Sequence, residues 1–234
     1  MNWLDRLLGR KPGLTPQQAQ RLAAWQALPV PPQGRAFSES RYVVVDVESS
    51  GLNISRDRLI AIGAVAVANG RIQLDDSFEI VLQQARVSEK GNILIHGIGG
   101  TAQREGMPPA DALLAFLEYL GKDPLVAFHV AFDESMISRA MRTFLGLEFR
   151  HAWVDLAYVA PALYPQLARR HRTLDDWMGL FRIGNYARHN ALADALSTAE
   201  LLLALRPAMA ARNAASFAGL KGLEREHRRQ IQPV

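Results

Sequence analysis

An α/β fold with a mixed central sheet is predicted by three features of this sequence. Residues 41 to 47 and the apolar run 59 to 68 read as two strands, and residues 71 to 82 return as a third. The Asn69-Gly70 pair joins the last two as a two-residue hairpin turn. Beyond them, the short apolar runs Leu125 to Phe128 and Trp153 to Leu156 alternate with stretches of helical spacing. Hairpin-linked strands followed by alternating strands and helices imply about five strands with helices packed on the sheet faces.

The elements follow in order. Thr15-Pro16-Gln17-Gln18 has the hydroxyl, proline and third-position glutamine of a capping box. It opens a helix to about Ala27, which Pro31-Pro32 ends. This arm, residues 1 to 40, reads as a separate attachment. Residues 109 to 120 place Leu113, Leu114, Phe116, Leu117 and Leu120 at helical spacing. Asp133 leads a helix with Met136, Ile137, Ala140, Met141 and Phe144 on one face. Thr173-Leu174-Asp175-Asp176 is a second capping box, and Asp155, Asp175 and Asp176 are assigned to helix starts. A helix over 191 to 205 ends before Pro207, and residues 206 to 234 read as a basic surface helix. The domain proper therefore spans 41 to 205.

Composition narrows the chemistry. The chain of 234 residues has no cysteine, which excludes disulfides, thiolate zinc sites, iron-sulfur clusters and thiol nucleophiles. Its longest apolar run, ten residues at 59 to 68, is about half of what a membrane-spanning helix needs. The first residues lack the uninterrupted apolar stretch of a secretory leader, so a cytoplasmic location is expected. Residues 1 to 40 hold five basic and two acidic side chains and residues 206 to 234 hold six and two, whereas the middle holds sixteen and nineteen. Basic arms thus flank an acidic body. They could engage a phosphate backbone or a partner protein, with Trp3, Leu4, Leu7 and Leu8 as a further contact surface.

The acidity has a focus. In YVVVDVESSGL, Asp46 and Glu48 end a strand that otherwise belongs in a core, and residues two apart point to the same face. Asp133 follows the run FHVAF directly. In HNALAD, His189 and Asp194 cannot share a helix face, so His189 falls on the lead-in and Asp194 inside the helix. Taken singly, each acid is as well explained by solvent exposure or helix capping. Together, four carboxylates without lysine partners would repel one another unless two divalent cations lay among them. Oxygen-only ligands select hard ions, Mg²⁺ or Mn²⁺. Such a pair suits phosphodiester hydrolysis, with a nearby imidazole taking a proton from the attacking water.

In the order and spacing of VDVESSGL, FHVAFD and HNALADA, the chain resembles the DEDDh 3′-to-5′ exonucleases of the ribonuclease H-like fold, which include the proofreading epsilon subunit of bacterial replicative polymerases. IHGI at 95 to 98, the VDL around Asp155 and TLDDW agree with it. The resemblance covers roughly residues 41 to 205 and implies a three-layer domain. It also implies that Asp46 bridges two metal ions, that Glu48 and Asp194 complete one site, that Asp133 holds the other, and that His189 is the general base. Ser49, Ser50, Gly51, Leu52 and His96 would contact the terminal nucleotide. The implied activity is release of nucleoside 5′-monophosphates from the 3′ end of single-stranded DNA or RNA, with DNA favoured. The arms would be available to a DNA polymerase or another protein. Where the family commonly has two threonines after the glutamate, Ser49-Ser50 stand here, and Phe128-His129 replace a usual histidine and asparagine. The competing expectation is a catalytically silent nucleic-acid-binding module or polymerase-associated regulatory subunit.

Overall fold

The computed structural model describes residues 13 to 184 and 187 to 231; Trp3, Leu4, Leu7 and Leu8 lie outside them. At the centre stands a five-stranded sheet of β1 (Arg41–Ser49), β2 (Leu59–Ala68), β3 (Arg71–Val81), β4 (Leu125–Ala127) and β5 (Trp153–Asp155), in the order β3-β2-β1-β4-β5. The first three strands are antiparallel neighbours, whereas β4 runs parallel to β1 and β5 to β4. Asn69 and Gly70 both adopt positive φ, 53° and 70°, as a tight hairpin turn between right-twisted strands requires.

Alternation along β1 separates two cores. Val43, Val45 and Val47 face one layer, made with α4 (Pro109–Leu120) and α5 (Val130–Leu145). Tyr42 and Val44 face the other, made with α6 (Leu156–Leu163), α8 (Ala191–Ala204) and α9 (Arg206–Ala211). Helices α2 (Lys90–His96), α3 (Gly100–Glu105) and α7 (Leu174–Phe181) complete the periphery. The sheet and its helical faces match the expected mixed architecture.

Several local expectations need correction. The segment around His96 to Gly100 is not a plain loop: α2 precedes it and α3 follows, with Gly97 at φ 70° closing α2. The final strand stops at Asp155, and a helix containing Pro161 follows immediately. Helix α5 opens at Val130 rather than at Asp133, with His129 as its cap at φ 67°.

Neither arm stands apart from the cores. In the N-terminal arm, α1 (Pro16–Gln26) forms the expected capping box and then buries Trp25 in the first core, its indole N–H donating to the Gly121 carbonyl at 2.7 Å. Arg21 pairs with Glu118 at 2.7 Å and ties the same helix to α4. In the C-terminal arm, α10 (Phe217–Ile231) buries Phe217, Leu220 and Leu223 in the second core. Among the described residues, no helix is long and apolar enough to cross a membrane.

One glycine decides how closely the layers meet. Gly63 lies opposite Asp46 in the β1–β2 register, under the first turn of α8. A Cβ at this position would lie 2.2 Å from the backbone of Ala191 and of Leu192. The missing side chain therefore lets the start of α8 rest on the sheet. Gly63→Ala should lower the melting temperature by several degrees, because forced overpacking typically costs about 1–3 kcal/mol. Gly91→Ala, in α2 with nothing within 4 Å of its would-be Cβ, should leave the melting temperature unchanged or raise it slightly. Equal effects of the two substitutions in a thermal melt would contradict this account of Gly63.

Candidate active site

The site forms where β1 runs out. Asp46 and Glu48 share the face that meets α8, and a register shift between Glu48 and Ser49 ends regular pairing beyond them. Gly63 brings α8 close enough to add Asp194 from its first turn. Asp46, Glu48 and Asp194 each offer a carboxylate oxygen, and these oxygens all lie within 4.8 Å of one another. Asp133 arrives from the opposite layer, in the first turn of α5, and is 4% exposed. The backbone groups of Asp133 itself and of Val47 lie near enough to its carboxylate to oppose the rise in its pKa. The carboxylate lies near enough to Asp46 to raise that group's pKa. The trio and Asp133 thus reach the end of one strand from both sides of the sheet.

Burial is the main electrostatic influence on Asp46, Glu48 and Asp133. It holds Asp46 well above the ordinary carboxylate range, and the negative charges of Asp133, Asp194 and Glu48 push in the same direction. Glu48 is raised to about 8, first by burial and then by Asp194. Asp133 is raised by burial, with Asp155 and Glu48 adding to the effect.

A cation also enters the site: the carboxylates have no lysine partner among the described residues, as expected, but an arginine reaches them. Arg188 sits 2.5 Å from Asp194 and 3.0 Å from Asp175. Its charge opposes the upward shifts of Asp46 and Glu48. In ARHNALAD the only sequence signal is a basic side chain beside His189. Nothing local in that stretch distinguishes it from a solvated loop arginine.

His189 takes the predicted place on the lead-in to α8, exposed, with φ 61°. Its backbone N–H donates to Asp194 at 3.0 Å, and Asn190 caps the helix by accepting from the Ala193 N–H. A cleft of about 620 Å³ is lined by Asp46, Glu48, His189 and Asp194 together with Ser49, Gly51, Leu52 and His96. Leu52 is 87% exposed and Ile95 56%, so the loop after β1 and the end of α2 form apolar lips.

Two expected nucleotide contacts have other duties. The Ser50 hydroxyl donates to Asp57 at 2.9 Å and accepts from the Arg58 N–H at 3.0 Å, and Ser50 does not line the cleft. The His96 ring accepts the Ile98 N–H on Nδ1 at 3.0 Å, and its Nε2 lies 3.3 Å from the buried Ser88 hydroxyl. Burial lowers its pKa, in keeping with a neutral ring that caps its own turn. Asn92, Phe128 and Phe132 also line the cleft. Asn92 donates to the Ser50 carbonyl, so it fixes the loop after β1.

Asp155, at the end of β5, shows how the Phe128-His129 departure is accommodated. Its carboxylate accepts the N–H groups of His129 and Val130 at 3.0 and 3.2 Å and that of Ala157 at 3.0 Å. One buried acid therefore caps α6 and secures the start of the helix that carries Asp133. On the other side, α10 supplies Arg228, 3.6 Å from Asp155, and the buried Glu224, which pairs with Lys221 and Arg228. The expectation that Asp155 and Asp176 serve helix starts agrees with their contacts; Asp175 lies in the first turn of α7 and also pairs with Arg188.

Known proteins resemble this chain in sequence and in fold. A profile described as "Exonuclease" (RNase T) matches residues 43 to 202. The PolC-type DNA polymerase III of Bacillus subtilis is 32% identical over 170 residues, covering 72% of this chain and 12% of that protein. The DNA polymerase III subunit epsilon-like protein of Rhodobacter capsulatus is 28% identical over 196 residues, covering 82% of this chain and 27% of that one. The chain thus spans only a small part of these relatives.

Among solved structures, E. coli exonuclease I in complex with a dT13 oligonucleotide superposes with a TM-score of 0.61 at 18% identity, over 74% of this chain and 42% of that one. Exonuclease X in complex with 5′ overhanging duplex DNA gives 0.59 at 18%, over 78% and 99%. At such identities these two establish the shared ribonuclease H-like fold. From the profile match across β1 to α8, which takes in every carboxylate of the cleft, the chain belongs to the exonuclease family.

Proposed function

We propose that this protein is a metal-dependent 3′-to-5′ exonuclease that releases nucleoside 5′-monophosphates from single-stranded nucleic acid, DNA in preference to RNA. The observation that carries this reading is the trio Asp46, Glu48 and Asp194, gathered within 4.8 Å beside the buried Asp133. An all-oxygen donor set of buried and half-buried, mutually repelling carboxylates fits hard divalent cations, Mg²⁺ or Mn²⁺. When bound, two such ions would activate water and stabilise the charge of the leaving oxygen. Asp46, Glu48, Asp194 and Asp133 would hold them.

The remaining residues position and transfer. His189, exposed on the cleft wall, would accept the proton of the attacking water. Ser49, Gly51 and Leu52 would meet the terminal nucleotide, with Leu52 and Ile95 closing on its base. Such contacts read shape and stacking rather than base edges, so little sequence selectivity is expected. The names of the relatives connect such domains with DNA polymerase III, and we extend to this chain an association with a polymerase.

A silent binding module is the second reading. Arg188 favours it, because a guanidinium beside Asp194 relieves part of the repulsion that metal ions would otherwise relieve.

Labelled DNA and RNA strands with free or blocked 3′ ends decide between the readings. With Mn²⁺, shortening should proceed from free 3′ ends only and should stop with EDTA or in Asp46→Ala. His189→Ala should lower kcat by about 10²–10⁴-fold, the usual worth of a general base. Tight strand binding without turnover under any divalent ion would establish the silent module instead.

Stability should carry the same signature. Glu48 titrates near 8 in the fold against an ordinary value near 4.5, so between these values the unfolded chain binds fewer protons. Without metal, stability should therefore fall as pH rises across that window, Glu48 alone contributing at most roughly 1.4 kcal/mol for each pH unit crossed, with Asp46 and Asp133 acting in the same direction. Saturating Mn²⁺ should reverse the trend, because it binds the ionised carboxylates. Melting curves from pH 5 to 8 with the same slope in EDTA and in Mn²⁺ would refute this.

A further inference from the structure

The cleft continues across the loop that follows β1. Leu52, exposed at the cleft lip, also lines a second depression of about 790 Å³ with Ile54, Ser138, Arg139 and Arg142. Arg139 in turn lines a third, of about 510 Å³, with Arg56, Arg58, Met136 and Phe144. The three hollows share residues at each junction and form one track, from β1 over the loop to the outer face of α5.

Charge changes sign along this track. The cleft is rich in carboxylates, which repel a polyanion. Beyond the loop stand Arg56, Arg58, Arg139 and Arg142, opposed locally by Asp57 and Glu134. None of the four arginines forms an ion pair with a carboxylate among the described residues. Arg58 instead donates to Gln84 and to the Arg86 carbonyl, and Arg139 to the Ile54 carbonyl. Arg142 lies near enough to Glu148 to influence it, but Glu148 is paired with Arg150. Asp57 is occupied by Ser50 and the Asn53 N–H. The track thus keeps net positive charge, and Phe144, 39% exposed, adds an aromatic surface.

We propose that this track is a second nucleic-acid subsite, which holds the phosphate backbone of the single strand 5′ to the residue being removed. The proposal rests on the exonuclease reading, since that reading puts the 3′ end in the cleft. The arginines neutralise phosphates that the acidic cleft alone would repel, and Phe144 offers a stacking face to a base of any sequence. The subsite therefore favours long strands over very short ones and leaves sequence preference unaffected.

The test compares kcat/KM on a single strand of about 20 nucleotides with that on a dinucleotide, which is too short to fill both cleft and track. Arg56→Gln/Arg142→Gln is the variant of choice, because Arg58 and Arg139 also hold neighbouring backbone. The wild-type preference for the longer strand should fall about tenfold in this variant, and the dependence of log KM on log salt should flatten by about 0.7 for each phosphate no longer neutralised. An unchanged length preference and salt slope would overturn the subsite. Wild-type protein that cuts neither substrate would instead count against the exonuclease reading. The subsite would then be decided by fluorescence anisotropy of the same strand: weaker binding by the double variant supports it, and equal binding rejects it.

Discussion

Mutual repulsion among closely gathered, buried and half-buried carboxylates at the end of β1 is the constraint around which the molecule is arranged. Asp46 and Glu48 meet it most directly, since both are pushed toward the protonated form by burial and by their neighbours. The fold pairs Asp194 with Arg188 and the His189 N–H. Asp133 is itself pushed upward by burial, although the backbone groups of Val47 and of its own residue oppose the rise. Asp46, Glu48 and Asp133 thus all lean toward the protonated form, and bound cations would discharge the repulsion.

The scaffold makes this arrangement rigid. The acids come from both layers, so a shift of either helix against the sheet would open the site. Gly63 fixes the approach of α8, and Asp155 fixes the start of α5 by accepting two of its first N–H groups. Residues beyond the family match take part, since Glu224 and Arg228 of α10 reach Asp155 and Trp25 of α1 closes the opposite core. The arms are therefore built into the layers that carry the site.

The sequence makes some of this legible and hides the rest for physical reasons. Asp46 and Glu48 are readable because period-two alternation in a buried strand makes two adjacent acids costly. Asp133 and Asp194 are readable only as companions, since each alone is an ordinary first-turn acid. Trp25 escapes notice because one aromatic in a polar helix gives almost no periodic signal. Ser50 and His96 stand beside the right motif, yet their polar atoms are engaged by Asp57, Arg58, Ile98 and Ser88, partners set by tertiary folding. Arg188 is hidden for the same reason: its carboxylates come from α7 and α8. The helix after β5 escapes because Pro161 interrupts its pattern.

Calorimetric titration with Mn²⁺ near pH 7, repeated in two buffers of different ionisation heat, addresses the central claim most directly. The account predicts about two ions bound per chain, with net proton release because acids held partly protonated must ionise to ligate, and with both effects lost in Asp46→Asn. Absence of binding, or binding that neither releases protons nor depends on Asp46, would contradict it.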